Sequence, residues 1–364
     1  MSEKILSLKQ TIETKEELWN YLQIAMEVEL STIPAYLCAI YSIKPGTNQA
    51  AIEVMHSVVI EEMFHMTLAG NVLKATNGPS MINQEAFMPK YPTPLPKSDI
   101  KVDGETFEVP LQKFSPFAIS ETFMGIEMPE QPGSPPKVQG WHSIGQFYDG
   151  LAKGLDELCD KIGTSEVFNG KMKDQILPQD YYGGSGHFVV VADEENPDQA
   201  LKNAHRAFQE ITEQGEGMNN GNDVFDGDVV PGRGEKTIPI PAHYYRFDEI
   251  YRGRYYQEND KPHHPTGAAL DVDWNAVYNM KDNPRMEDYE PGSEIHGKLL
   301  DFNRSYMHLL NTLTDAFSGK RERMMETVGV MYDLKYRAIE LMKTPSGDGD
   351  TTVGPSFEYV SPET

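Results

Sequence analysis

The chain has 364 residues, of which 39% are hydrophobic and 24% charged. That is enough apolar material for a sizeable core in one or two domains, and it excludes wholesale disorder, collagen-like repeats and low-complexity architecture. With 56 acidic residues against 32 basic ones, the formal charge is −24. Such a field repels phosphate backbones and anionic lipid, so nucleic acid and membrane surfaces are disfavoured as partners.

Cys38 and Cys159 fall in amphipathic stretches and read as reduced, packed thiols rather than a disulfide framework. The charged N-terminal sequence has no apolar signal region, and no apolar run approaches about 18 residues. A soluble, cytoplasmic protein is therefore expected.

In chain order, residues 15–43 read as a long helix with Thr14 as cap and Glu17 completing a capping box. Leu18, Leu22, Ala25, Met26, Glu29, Ile33 and Tyr36 recur at helical spacing, and Pro34 inside the pattern predicts a kink or a bend supported by packing. After a tight turn at 44–48, a second helix is expected over 49–76, stopping at Asn77-Gly78-Pro79 and packing antiparallel to the first. Residues 79–140 contain eleven prolines and predict an ordered but non-helical excursion with a short hairpin around 100–109. Helical periodicity returns at 143–163. HFVVV at 187–191 reads as a strand, and Asn196-Pro197 opens a helix to about 217. A Gly/Asp-rich loop at 218–236 precedes a helix at 242–253, a loop at 257–292, and two last helices at 293–318 and 320–343. The Gly, Asp, Ser and Pro of 345–364 predict a mobile tail, leaving 1–344 as one domain. GGSG at 183–186 lacks the lysine and the strand–loop–helix context of a phosphate loop.

The informative anomaly is where acidic residues fall. Glu29 sits in the middle of the apolar stripe of the first helix, and Glu62 and His65 sit three apart on the stripe of the second, so that both face one way. An unpartnered buried carboxylate is costly or forced neutral. One glutamate beside an antiparallel E-x-x-H is the half-site of carboxylate-bridged metal proteins, with an oxygen-rich, single-imidazole donor set suited to iron or manganese. A surface-facing E-x-x-H arising by chance is the plain alternative. For a second half-site, Glu213 and Glu216 at the end of the 197–217 helix, with His243 opening the next, match the first half in ligand type, although a second E-x-x-H is missing. A solvated acidic helix end and a hydrogen-bonded structural histidine are the competing readings. His263-His264 reads as exposed and His308 as a packed histidine.

The segments ELSTIPAYLCAIYSI (29–43), EEMFHMTLAGNVL (61–73), HFVVVADEENPDQALKNAHRAFQEITEQGEG (187–217) and AHYYRFDEIYRGR (242–254) resemble the ferritin-like domain of the violacein- and rebeccamycin-pathway iminophenyl-pyruvate dimer synthases. The final helical hairpin with AFSGK (316–320) fits the same pattern, so the likeness spans about residues 15–343. The resemblance implies a mainly α, ferritin-like helical bundle carrying a proline-rich irregular insertion and an extra C-terminal hairpin. It also implies metal binding by Glu29, Glu62 and His65, completed by Glu213, Glu216 and His243. The expected function is that of a non-haem, metal-dependent oxidase or oxygenase using dioxygen or peroxide on a small organic, amino-acid-derived or aromatic substrate. Iron, as a dinuclear centre, is the expected cofactor, with manganese or haem as alternatives, and a homo-oligomer is compatible. Oxidative imine coupling, or a metal-binding interaction protein without catalysis, are the other readings. The 79–140 and 257–292 segments are expected to form the substrate entrance.

Overall fold

Two long antiparallel helices form the spine of the computed structural model: α1 (Lys15–Ser42) and α2 (Gln49–Ala75). The structure describes residues 11–131, 133–181, 188–218, 223–231 and 237–361. Thr14 caps α1 by accepting the Glu17 amide at 3.2 Å, whereas the Glu17 carboxylate reaches past it to the Glu13 amide at 2.7 Å. Pro34 stays within α1. The backbone around it is supported from outside the helix, because the Ser31 carbonyl accepts the Tyr91 hydroxyl at 2.9 Å.

Among the described residues, five more helices of at least ten residues surround the spine. On one side lie α3 (Ile144–Ile162), α4 (Pro197–Glu216) and the short α5 (His243–Arg252). Ser143 and Asn196 cap α3 and α4 through their side chains, and Pro197 takes the first helical position of α4, where a missing N–H is harmless. On the other side lies the hairpin of α6 (Glu294–Phe317) and α7 (Thr327–Lys343), joined by a short 3₁₀ stretch over Arg321–Glu326. One large hydrophobic core runs through all of these layers. By length and composition α1 could cross a membrane, a reading its Pro34- and Glu29-containing sequence did not suggest, but most of that stretch is buried inside the bundle.

The proline-rich segment differs from expectation in one respect that matters for the site. It does contain the short hairpin, β1 (Lys101–Val102) against β2 (Glu105–Thr106), turned by Asp103 and Gly104 at positive φ. Between Pro116 and Pro129, however, it is helical: a π-helical turn over Ala118–Phe123 continues into Met124–Ile126. The twelve proline-free residues there are enough for three turns, and Ile119, Phe123 and Ile126 bury one face.

HFVVV pairs with no strand among the described residues; His187 and the GGSG run lie outside them. Side chains replace the ladder, with the Val191 and Ala192 amides donating to Gln175 Oε1 at 3.0 and 3.1 Å and Asn203 donating to the Val190 carbonyl. The Gly/Asp-rich loop instead builds an antiparallel pair, β3 (Phe225–Pro231) and β4 (Thr237–Pro241), which delivers the chain to the start of α5.

The expected mobile tail is the clearest departure. Val353, Phe357 and Val360 are buried, and the Phe357 ring packs edge-on against Phe302 and Tyr306 of α6 at 4.9 and 5.1 Å. Asn303 ties the segment down, donating to Ser356 Oγ at 2.9 Å and accepting the Glu358 amide at 3.0 Å. Loop-forming residues continue to Ser356, but Val353, Phe357 and Val360 set among and after them supply burial. Replacing Phe357 with alanine is expected to lower stability by about 3–5 kcal/mol in urea denaturation; a variant as stable as the parent would show that this segment merely rests on α6.

Candidate metal centre

Glu29 is buried because its neighbours on the helix face, Ala25, Met26 and Ile33, all point into the core. Its Oε1 accepts the Tyr148 hydroxyl from α3 at 2.5 Å, and its Oε2 stands 3.7 Å from His65 Nδ1. On α2, Glu62 Oε1 lies 3.8 Å from His65 Nδ1 and 2.9 Å from His243 Nδ1, while Oε2 is 2.9 Å from the Thr32 hydroxyl. The two imidazole rings stack with centroids 5.3 Å apart and planes 21° from parallel. Glu62, His65 and His243 can bring one donor atom each within 4.8 Å of one another.

The other end of the cluster is completed by a residue that sequence reasoning missed. Glu127, at the end of the short helix in the proline-rich segment, places Oε2 at 3.6 Å from His243 Nδ1. Its Oε1 accepts the Tyr36 hydroxyl at 2.5 Å. Glu127 follows Ile119 and Phe123 at four-residue steps, the same in-stripe signature that marks Glu29. The count of prolines around it masked the signal. The site thus repeats one arrangement twice: carboxylate, tyrosine clamp and imidazole, as Glu29–Tyr148–His65 and Glu127–Tyr36–His243, with Glu62 between.

The outer nitrogens of the imidazoles set their tautomers. Gln214 donates its amide to Glu210 and Asp228, so its oxygen must accept from His65 Nε2, 2.9 Å away. His243 Nε2 is 2.9 Å from Glu61 Oε2, and an ionised carboxylate only accepts. Both rings therefore carry hydrogen on Nε2, and in the neutral form both present a bare Nδ1 to the three carboxylates. His243 Nδ1 is buried and, although close to Glu62, is not aligned for a hydrogen bond with any group.

Behind His243 stands a second ionic layer. Burial would raise the Glu61 pKa, but the Arg246 guanidinium at 2.8 Å and His243 bring it down to about 2. Arg246 is itself held by Asp226 at 3.1 Å and by the Pro241 carbonyl at 2.6 Å. Within the cluster, burial together with Glu127 and Glu29 raises Glu62 to about 7. Burial opposes the imidazolium forms, yet His65 is raised through Glu29 and Glu62, and His243 is raised well above its ordinary value through Glu127, Glu61 and Glu62. The crowding thus favours the protonated forms of Glu62 and the two imidazoles, at the place where a cation would otherwise balance the charge.

Glu213 and Glu216 are placed differently from this group. Glu216 is buried, but Oε1 accepts the Gly145 amide at 2.5 Å and Oε2 the Glu130 amide at 2.8 Å. It closes the N-terminal turn of α3, where a Cβ at position 145 would sit 2.7 Å from its oxygen. Burial raises it to about 8. Glu213 is half-buried and accepts from Gln209 within its own helix. The α4 residue that reaches the imidazoles is Gln214, in step with Ala207 and Ile211 on the buried face. His243 is fully buried at the first position of α5. His308 is exposed rather than packed, because it points away from the Tyr306–Leu310 face of α6, and His263 is exposed as expected.

This geometry lies inside the segment that matches a known family. The family model described as Ferritin-like matches residues 22–252, so the chain belongs to the ferritin-like family, whose members commonly bind metal. A solved ferritin-like protein from Caulobacter vibrioides has the same fold, with a TM-score of 0.65 at 20% identity over 95% of this chain and 100% of that one. No curated protein matches the sequence.

The pKa directions fix how metal-free stability depends on pH. His65 and His243 are raised above the ordinary 6.5, so their contribution is complete below that value and is lost as pH rises through the raised ones. Glu62, raised from 4.5 to about 7, acts with the same sign, since its cost develops as pH climbs through that interval. Glu61 has the opposite sign, but its window lies between 4.5 and about 2. Chelator-treated protein should therefore melt at a lower temperature as pH goes from about 5.5 to about 8. The slope should flatten in His243→Gln, and an unchanged slope in that variant would count against the assignment.

Proposed function

We propose that this protein is a non-haem metal-dependent oxidoreductase, with Glu29 and His65 holding one metal, Glu127 and His243 a second, and Glu62 serving both. The observation that supports the reading is the pair of Nδ1 atoms of His65 and His243, both turned towards three buried carboxylates at 2.9 to 3.8 Å. The donor set of hard oxygens with one imidazole per metal favours iron, with manganese next. Glu213 and Glu216 are left out of the proposed ligand set because their oxygens serve a neighbouring side chain and two backbone amides. Bound there, a redox-active metal pair would supply the binding of dioxygen or peroxide and the electron transfer of an oxidase or oxygenase.

The chain's own groups have defined parts in this reading. Tyr148 and Tyr36 fix the rotamers of the outer carboxylates, and Gln214 and Glu61 hold the Nε2 hydrogens, so that Nδ1 is the nitrogen each ring would offer a metal. Tyr36, Phe123 and Phe247 pack ring against ring and keep water from the Glu127 side. A polar cavity of about 320 Å³ reaches Tyr148 from outside and is lined by Glu130, Asp149, His205 and Glu213 among others. It offers a small organic substrate an approach to Glu29, and Glu130, raised to about 7 by burial and then Asp149, is a group there able to exchange a proton near neutrality. Of the two segments expected to form the entrance, this cavity uses the proline-rich one. The resemblance to iminophenyl-pyruvate dimer synthases favours an aromatic, amino-acid-derived substrate, and the proposed compartment is the cytoplasm.

Anaerobic reconstitution with iron(II) followed by metal analysis tests the centre. About two irons per chain are expected, with most lost in Glu62→Ala, about half in Glu127→Ala, and none in Glu213→Ala, all with unchanged helical circular dichroism. Full iron retention in Glu62→Ala, or a strong Soret band from the purified protein, would refute it. Arg246→Met leaves every proposed ligand in place but releases Glu61, so iron affinity should fall by about 10–100-fold without being abolished; a wild-type affinity would mean that Glu61 orients His243 unaided.

A further inference from the structure

The spine has a second functional-looking face. Opposite the carboxylates, α1 and α2 border an apolar cavity of about 540 Å³, closed on its far side by α6 and α7. The helix pair itself separates the two regions: Leu30, Met63 and Met66 line the cavity, although each is the chain neighbour of Glu29, Glu62 or His65. The volume falls in the range of small-molecule sites, and the wall from Leu30 to Tyr41 runs about 17 Å along α1, the shape of a slot for one extended chain.

Its rim has a different character from its walls and from the protein as a whole. His56 and Lys335 are exposed at the edge of the slot together with Tyr332. Neither basic side chain has an ion-pair partner among the described residues. Both side chains line the slot, and burial, followed by the Lys335 ammonium, holds the His56 pKa below its ordinary value. In a chain of net charge −24, a lysine and an imidazole at the mouth of an oily slot, with no carboxylate among its described lining residues, are complementary to an anion carried on an apolar tail. Deeper in, Tyr306 forms part of the wall with a buried hydroxyl that no group among the described residues satisfies, the mark of an interior that side chains alone do not complete.

We propose that this slot is a ligand site for an amphipathic monocarboxylate of the fatty-acid class, the acyl tail lying along α1 and the carboxylate meeting Lys335 and His56. The site is independent of the metal centre and goes beyond the proposed oxidation chemistry, because α1 and α2 stand between the two.

The test uses chelator-treated full-length protein and isothermal titration with dodecanoate, dodecanol and dodecyltrimethylammonium. Dodecanoate should bind tightest and the cationic detergent weakest, with the same order in Glu62→Ala. Lys335→Glu should weaken dodecanoate by about fivefold to tenfold while leaving dodecanol unchanged. Val328→Trp, at a half-buried position of the wall, should remove binding of both; Leu309→Trp serves the same end should the first variant not fold. Equal binding of the anionic and cationic ligands, dodecanoate binding indifferent to Lys335→Glu, or a concentration-dependent dimer whose formation Val328→Trp abolishes would overturn the assignment, the last by making a second copy of the chain the occupant.

Discussion

Three carboxylates buried within reach of two imidazoles are the constraint on which the rest of this fold turns. Placing Glu29, Glu62 and Glu127 in an apolar interior is unfavourable unless positive charge accompanies them, and every neighbouring element contributes to that balance. Protons on His65, His243 and Glu62 supply it in the metal-free chain. Tyrosine hydroxyls from α1 and α3 satisfy the outer oxygens, and Arg246 carries the compensation one shell further out through Glu61. The same three kinds of group recur on both sides of Glu62, yet the halves come from unlike pieces of chain. One is a regular helix pair, and the other joins a helical turn inside a proline-rich excursion to the first residue of α5.

That mixed origin explains why the irregular segments are well packed. The excursion after α2 places Glu127 against His243 and donates the Glu130 amide to Glu216, which in turn closes the start of α3. The β3–β4 pair sets where α5 begins, and therefore where His243 and Arg246 point. Glu216 and Glu62 are both buried acids with raised pKa values, but only Glu62 faces imidazoles; Glu216 is stabilised by backbone amides. Burial of an acid is thus a common property here, and its partners distinguish a proposed ligand from a structural brace.

The α1–α2 pair presents a polar, charge-rich face to α3, α4 and α5 and an apolar face to α6 and α7. Their low amphipathicity follows, since a helix buried on two sides has few positions left for solvent. Pro34 falls on the side of the apolar slot, and the Tyr91 hydroxyl supports the backbone nearby. The C-terminal segment seals the same side through Phe357, so this stretch completes the cavity rather than trailing from it.

By itself the sequence determined the helical elements and one half of the cluster, because both are written in local periodicity. Glu29 between Ala25 and Ile33, and Glu62 and His65 on one stripe, are placed by helix geometry alone, and the long helices began and ended close to the expected residues. Only the tertiary structure decided the other half. Glu127 approaches His243 from 116 residues away along the chain, and Gln214, in step with Ala207 and Ile211, reaches His65 while Glu216 turns to the start of α3. Helical spacing orders residues on a common face, but it carries no information on which distant faces meet. The packing of the excursion, the hairpin and the C-terminal segment against the spine is settled by burial and hydrogen bonding that no local pattern records.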